Sequence, residues 1–242
     1  MRALTLSLLI AAALLLFVSG CGGSDQGPAP RDRDAPPTGS ARRQPAGRLT
    51  ERQLQARLLT PSDLPSNFVK SRDDSDDDAD VQADSPGCER ILGGHGDDAA
   101  RRAEAVYENG GPPERGNRVL LLQESVFSDA ADNVERDFAA MRRALDGCRR
   151  VTIAGAGFRA SMTLRRESFA DLGDETLAYA LRGRFIAAGL SAPSSGRLVG
   201  VRVGNAGAVL FTFGLGRRSG RDIEAVTRRA LRRLTSGRPD AG

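Results

Sequence analysis

The sequence has few of the side chains that enzymes use most. Its 242 residues include no tryptophan, two tyrosines, one histidine (His95) and one lysine (Lys70). With a single histidine and no nucleophile motif beside it, most Ser–His, Cys–His and multi-histidine metal chemistry is excluded. The net charge of +4 is small for this length and does not favour a nucleic-acid partner. These shortages predict a non-catalytic protein with no metal and no other cofactor.

A short apolar run at residues 3–18 follows Arg2. The run is too short to span a bilayer comfortably and leads into small polar residues, so it predicts a signal peptide over residues 1–20. It ends in Val18-Ser19-Gly20-Cys21, which resembles the lipobox of bacterial lipoproteins. The resemblance implies that Cys21 is lipidated and anchors the chain to the extracytoplasmic face of the cell membrane. The alternative is an ordinary cleaved signal in which Cys21 is incidental.

Composition divides the remainder of the chain. Residues 22–48 are rich in Gly, Pro, Arg and Asp and contain almost nothing that could be buried. Together with the lipidated Cys21 they predict a disordered tether over residues 21–48. Residues 49–236 are long enough for one domain with a substantial core, and residues 237–242 are expected to form a disordered tail.

Two cysteines remain once Cys21 is assigned to the lipid, namely Cys88 and Cys148. Disulfides persist outside the cytosol, so we expect one bridge between them. The alternative is a pair of independent thiols. Between the tether and the second cysteine lies an acidic segment with seven aspartates between positions 73 and 84. It fails the EF-hand pattern, because Ala79 and Ser85 stand where Gly and Glu are required. A solvated loop is the expectation, with weak cation binding left open.

The stretch "VTIAGAGFRAS" at residues 151–161 has the letter pattern of a dinucleotide-binding turn, Gly155-x-Gly157-x-x-Ala160. Such a site requires a helix after the turn, because the helix N-terminus receives the pyrophosphate. Downstream of Gly157 the apolar residues instead alternate with period two, which is typical of a strand. The stretch therefore predicts a β-hairpin with its glycines in the turn rather than a cofactor site.

Alternating apolar residues predict five to seven strands between positions 104 and 213, joined by short turns and hence antiparallel. One turn is expected at Gly204-Asn205, and residues 189–196, "GLSAPSSG", are expected to form a loop. Helices are predicted over residues 51–59, 129–147 and 220–235, with a capping box at Thr50 and Gln53. The predicted class is α+β, a meander-like antiparallel sheet packed with two main helices and one disulfide.

The order of short motifs along the chain resembles the PknH-like extracellular sensor domain. The motifs are "LLTPSDLP", Cys88, "ALDGC", "LGDE" and "VGVRVGNAGAVLF", followed by an amphipathic helix. That family occurs on receptor Ser/Thr kinases of mycobacteria and on stand-alone lipoproteins of actinobacteria. The resemblance implies an antiparallel sheet with helices and a cleft for an unidentified ligand, with no catalytic residues. The family commonly has a second disulfide, which this chain cannot form.

Three functions follow from these expectations. The first is a lipid-anchored sensor that binds a small molecule or cell-wall ligand and signals through a membrane protein, with Tyr107, Tyr179 and Arg202 as candidate cleft residues. The second is a carrier or chaperone subunit for lipid or another lipoprotein, which would need a large apolar cavity. The third is an envelope hydrolase, for which Asp171 and Asp174 would be the carboxylate pair. Turn geometry explains those two aspartates without catalysis.

Overall fold

Nine strands form one antiparallel sheet. In chain order they are β1 (Phe68–Lys70), β2 (Asp80–Ala83), β3 (Arg101–Asn109), β4 (Arg118–Ser128), β5 (Arg150–Gly155), β6 (Phe158–Arg166), β7 (Glu175–Ala187), β8 (Leu190–Val203) and β9 (Ala206–Leu215). Across the sheet the order is β1-β3-β4-β9-β8-β7-β6-β5-β2. Strands β5 to β9 pair consecutively, whereas β4 pairs with β9 and the two shortest strands form the edges.

The computed structural model describes residues 47–65, 67–71, 80–92, 101–109, 118–155, 157–216 and 223–236. The predicted signal peptide, Cys21, the tether as far as residue 46, His95 and the tail lie outside the described residues, as do positions 72–79 of the acidic segment. Within the described part of the chain, no helix is both long and apolar enough to cross a bilayer.

The sheet is curled into a half-barrel. Chain length alone requires a curl, because β1 and β2 lie at opposite edges and are joined by residues 71–79. A flat sheet would place its outermost strands about 38 Å apart. The connection can reach at most about 35 Å when fully extended. The two edges must therefore approach one another.

Helices cover both faces of the sheet. They are α1 (Glu51–Gln55), α2 (Pro86–Leu92), α3 (Ala131–Asp146) and α4 (Ile223–Thr235), with a short 3₁₀ helix at Pro61–Asp63. The predicted capping box of α1 is confirmed: Gln53 N donates to Thr50 Oγ1 over 3.2 Å, and Thr50 N donates to Gln53 Oε1 over 2.8 Å. These two bonds satisfy backbone donors that a short helix otherwise leaves open.

Two hydrophobic cores lie on opposite faces of the sheet. One is formed by α1, the 3₁₀ segment, α4 and one face of β3, β4, β8 and β9. The other is formed by α2, α3 and the opposite face of β5 to β9. Side chains alternate across a strand, so neighbouring residues of β8 serve different cores: Leu198 lies in the second and Val199 in the first. We call these the α4 core and the α3 core.

The predicted disulfide is confirmed. Cys88 on α2 and Cys148 just after α3 are bonded, with their Cα atoms 5.5 Å apart. Val134, Phe138 and Leu145 form the buried stripe of α3 that precedes Cys148. Because this stripe continues to position 148, the cysteine faces the α3 core, where Cys88 is fully buried.

The predicted architecture of five to seven strands with two main helices is wrong. Strands β1 and β2 have only three and four residues, which is too few for a period-two pattern to be recognised in the sequence. Residues 190–196, predicted as a loop, belong to β8. Small residues are needed there, because a Cβ on Gly196 would clash with the carbonyl oxygen of Thr212. Close strand packing, rather than a turn, explains the small residues of this segment.

The hairpin predicted for residues 151–161 is confirmed. Strand β5 ends at Gly155, β6 begins at Phe158, and these two residues pair. Gly157 has a φ of +81°, a left-handed conformation that favours glycine. A strand follows the turn, so the stretch lacks the helix N-terminus on which a dinucleotide site depends. The turn predicted at Gly204-Asn205 also joins two paired strands, β8 and β9.

Candidate functional site

A groove lies where the 3₁₀ helix meets the last turns of α4. Its volume is about 400 Å³ and it is lined by Ser62, Asp63, Leu64, Arg229, Arg232, Arg233 and Ser236. Three arginines against one aspartate make its lining cationic, and two serine hydroxyls add groups that can donate or accept hydrogen bonds. We call it the α4 groove.

The N-cap residue of the 3₁₀ helix, Thr60, holds the Asp63 carboxylate in place. Thr60 donates to Asp63 Oδ2 from both its backbone N, over 2.8 Å, and its Oγ1, over 2.7 Å. Pro61 follows, and its fixed φ favours the first position of the turn. Burial raises the pKa of the Asp63 carboxyl, but the Thr60 hydrogen bonds and the charge of Arg233 outweigh it and hold the pKa below the ordinary value. Asp63 is therefore ionised at neutral pH.

Two arginines of α4 join this helix to the 3₁₀ helix. Arg229 Nη1 donates to the Asp63 carbonyl oxygen over 2.8 Å, and Arg233 Nη1 lies 3.2 Å from Asp63 Oδ2. Arg232 is exposed, and its guanidinium contacts no hydrogen-bond or ion-pair partner among the described residues. The groove therefore has two arginines that fix its walls and a third that is available to a ligand.

A buried carboxyl group lies beneath the groove. Glu124 of β4 has no solvent-exposed area, and its Oε2 accepts a hydrogen bond from Leu59 N over 2.8 Å. Tyr107 of β3 is equally buried, and its hydroxyl donates to the carbonyl oxygen of Leu59 and lies 3.5 Å from Glu124 Oε2. Glu124 Oε1 is buried and makes no hydrogen bond with the described residues. This cluster attaches the segment after α1 to the sheet.

Charged residues of the groove influence the pKa values of Glu124 and Tyr107 in the buried cluster. Burial raises the pKa of Glu124 to about 7, against the opposing effects of the Leu59 hydrogen bond and of the Arg233 charge. Burial and the neighbouring Glu124 carboxyl raise the pKa of Tyr107 well above its usual range. Because Arg233 and Asp63 line the groove and also influence Glu124, a charged ligand in the groove would change the proton affinity of Glu124.

The structure separates the three residues that the sequence suggested for a ligand cleft. Tyr107 lies in the α4 core beneath the groove, whereas Tyr179 lies in the α3 core on the other face of the sheet. The Tyr179 hydroxyl donates to Asp146 Oδ1 over 2.8 Å. Arg202 lies on that same opposite face, 3.7 Å from Glu175 Oε2. Their role in a ligand cleft stays a prediction, and only Tyr107 lies next to the α4 groove.

Sequence reasoning overlooked Glu124. The only available signal was its position: it is a single carboxylate in the strand "RVLLLQESVF", two residues from Leu122 and from Val126, both buried in the α4 core. An acidic side chain on the buried face of a strand is unusual enough to mark a specific contact. The two carboxylates considered for hydrolysis occupy the turn before β7, where Asp174 lies 3.8 Å from Arg202.

The curled sheet with helices on both faces has a counterpart among solved structures. The fold is similar to that of the extracellular domain of PknH from Mycobacterium tuberculosis, with a TM-score of 0.51 and 12% sequence identity. The match covers 78% of this chain and 98% of that domain. At this identity the likeness establishes the fold. No family model and no curated protein sequence matches the chain.

Proposed function

We propose that the protein is a non-catalytic, lipid-anchored ligand-binding module of the extracytoplasmic membrane face, and that its ligand is a small anion bound in the α4 groove. The observation that carries the proposal is the groove lining, in which three arginines and two serines surround one aspartate. Arginine is well suited to phosphate and carboxylate groups, because its planar guanidinium can donate two parallel hydrogen bonds.

The connection between groove and sheet supports a sensing role. An anion beside Arg233 would weaken the stabilisation that this arginine gives to ionised Glu124, and Glu124 holds the α1 segment through Leu59. Ligand binding would then favour protonation of Glu124 and alter the contact between the sheet and this segment. We propose that a membrane signalling protein reads this change.

Replacing Arg232 by glutamine should weaken anion binding about tenfold or more, since one charge-assisted hydrogen bond is lost. Isothermal titration with inorganic pyrophosphate measures the effect. The matched control is Arg228→Gln on the same helix, where Arg228 is paired with Glu224 over 2.7 Å and does not line the groove. Equal affinities for the two variants, or no binding of pyrophosphate to the unaltered protein, would contradict the proposed ligand class.

Replacing Cys21 by alanine should release the protein from membranes, because the proposed diacylglyceryl anchor can no longer be attached. The measurement is fractionation of cells that express the full chain, with membranes washed at about 0.5 M NaCl to screen electrostatic attachment. If the variant stays in the washed membrane fraction as the unaltered protein does, the lipid anchor is wrong.

A further inference from the structure

One face of the β5–β7 part of the sheet carries a cluster of exposed arginines. They are Arg150, Arg159, Arg165, Arg182 and Arg184. The pairing register places them together: Arg150 and Arg182 both pair with Thr163, and Arg184 pairs with Ser161. Side chains on the same face of neighbouring strands lie about 5 Å apart when paired and about 7 Å apart on the diagonal. We call this surface the arginine face.

The arginines of this face outnumber the described acidic side chains on and beside it. Arg150, Arg159, Arg165 and Arg182 form no ion pair with any described residue, and Arg184 donates to Ser191 Oγ over 2.9 Å. Among the described residues of β5, β6 and β7, no acidic side chain lies on this face. The nearest described acids are Asp84, whose carboxylate accepts from the backbone N of Arg150 over 3.1 Å, and Asp80 at the β2 edge. Glu167, beyond the end of β6, is paired with Arg197 over 2.8 Å. Like charges in such proximity favour an anionic partner.

Helices do not cover this surface. On the same side of the sheet, α1 and α4 pack over β3, β4, β8 and β9 in the α4 core, and the five arginines beyond them are exposed. The remaining side chains among them on β5 and β6 are small, and most are polar: Thr152, Ala154, Ser161 and Thr163. The arginine face is therefore an open polar surface with hydroxyls between the guanidinium groups.

An apolar tip projects at one end of the arginine face. The β7–β8 hairpin turns at residues 188–189, and beside the turn Ile186 is 46% exposed and Leu190 is 77% exposed. Ile186 pairs with Arg159 and lies on the arginine face, whereas Leu190 pairs with Ala187 and lies on the opposite face of the hairpin end. The β5–β6 turn lies at the same end, since Phe158 pairs with Ala187. Exposed branched side chains beside a cationic surface are characteristic of peripheral membrane contacts.

We propose that the arginine face and the β7–β8 tip dock on an anionic phospholipid surface. The guanidinium groups would contact headgroup phosphates, with about a fivefold gain in affinity for each arginine near the surface. Ile186, which lies on this face, would enter the boundary between headgroups and acyl chains. Its exposed side chain favours a lipid surface over a soluble polyanion, which would leave it in water.

Docking in this manner is compatible with a lipid anchor at Cys21. Asn205 Nδ2 donates to the carbonyl oxygen of Gly47, so the chain enters the domain near the β8–β9 turn, opposite the β7–β8 tip. Strand β8 between these turns is about 45 Å long, and residues 22–46 can span about 90 Å when extended. The docking surface is separate from the α4 groove, so neither proposal depends on the other.

The absence of tryptophan makes the test direct, because one introduced tryptophan is then the only indole in the protein. Full-length Ile186→Trp protein is mixed with vesicles of phosphatidylcholine, or of phosphatidylcholine and phosphatidylglycerol in equal parts. We expect the tryptophan emission to shift to shorter wavelength on the anionic vesicles only. Any lipid anchor inserts into both vesicle types, so the difference between them isolates docking. Val69→Trp, 54% exposed on β1 at the opposite edge, should show no shift.

Charge variants in the Ile186→Trp background test whether the arginine face is the surface that docks. Arg159→Gln, Arg165→Gln and Arg182→Gln together should abolish the shift. The control replaces Arg52, Arg90 and Arg143 by glutamine, which removes the same amount of charge from exposed positions on α1, α2 and α3. This control variant should retain the emission shift. Circular dichroism verifies that both triple variants are folded. The proposal is overturned by an equal loss in both triple variants, by equal shifts on both vesicle types, or by binding of soluble polyphosphate without any vesicle-dependent shift.

Discussion

Replacement of both Cys88 and Cys148 by alanine should lower the free energy of unfolding by about 4 kcal/mol. The bridge closes a loop with a sequence separation of 60 residues, and without it the unfolded chain gains the entropy of that loop. Such a loss is a large fraction of the 5–15 kcal/mol that typically separates folded from unfolded domains. Urea denaturation followed by far-ultraviolet circular dichroism measures it.

Alanine is the suitable replacement, because Cys88 and Cys148 are buried in the α3 core and serine would add two buried hydroxyls. The control is Cys21→Ala, which removes a cysteine that takes no part in the bridge and should leave the unfolding midpoint unchanged. Reducing the unaltered protein should reproduce the loss. If the double variant unfolds at the same urea concentration as the unaltered protein, the bridge does not stabilise the fold.

Replacement of Glu124 by glutamine should stabilise the protein at neutral and alkaline pH by about 3 kcal/mol. The burial of Glu124 raises its pKa in the folded state from 4.5 to about 7. Between these two values the folded protein retains a proton that the unfolded chain has released. Its stability therefore falls as the pH rises through this range, and the full penalty is present above about pH 7. Glutamine carries no charge and preserves the oxygen that accepts from Leu59 N.

Urea denaturation at several pH values from about 4.5 to 8 tests this prediction. The unaltered protein should lose stability with rising pH across the interval, and the Glu124→Gln variant should show a much flatter profile. Glu135→Gln, at an exposed position of α3, is the control and should follow the unaltered protein. Tyr107 and Asp63 also influence Glu124, but the pKa of Tyr107 is raised and that of Asp63 is lowered, so both titrate outside this interval. Parallel profiles for Glu124→Gln and the unaltered protein would contradict the raised pKa.

Local features of the fold could be predicted from the sequence. The capping box at Thr50 and Gln53 and the turn at Gly157 each depend on residues within three positions of one another. The bridge between Cys88 and Cys148 could be predicted because only two cysteines remained to be paired. In the first two cases the signal lies in a few neighbouring residues, and in the third only one pairing of cysteines was possible.

Non-local features could not be predicted in the same way. Strand β2 is recognisable only through its pairing with β5, about 70 residues further along the chain, and β4 pairs with β9 rather than with its neighbour β5. The candidate groove depends on contacts such as that between Asp63 and Arg233, with a sequence separation of 170 residues. Alternating apolar residues predicted strands around Tyr107 and Tyr179 but could not tell that the two side chains lie on opposite faces of the sheet.

The alternation of β8 between the two cores has a consequence for cooperativity. Leu198 packs in the α3 core and Val199 in the α4 core, so β8 cannot leave one core without disturbing the other. The disulfide acts on the first of these cores and Glu124 on the second. Their effects on stability should therefore appear in one unfolding transition, observed at the same denaturant concentration by every spectroscopic probe. Through β8 the two faces of the sheet form a single thermodynamic unit.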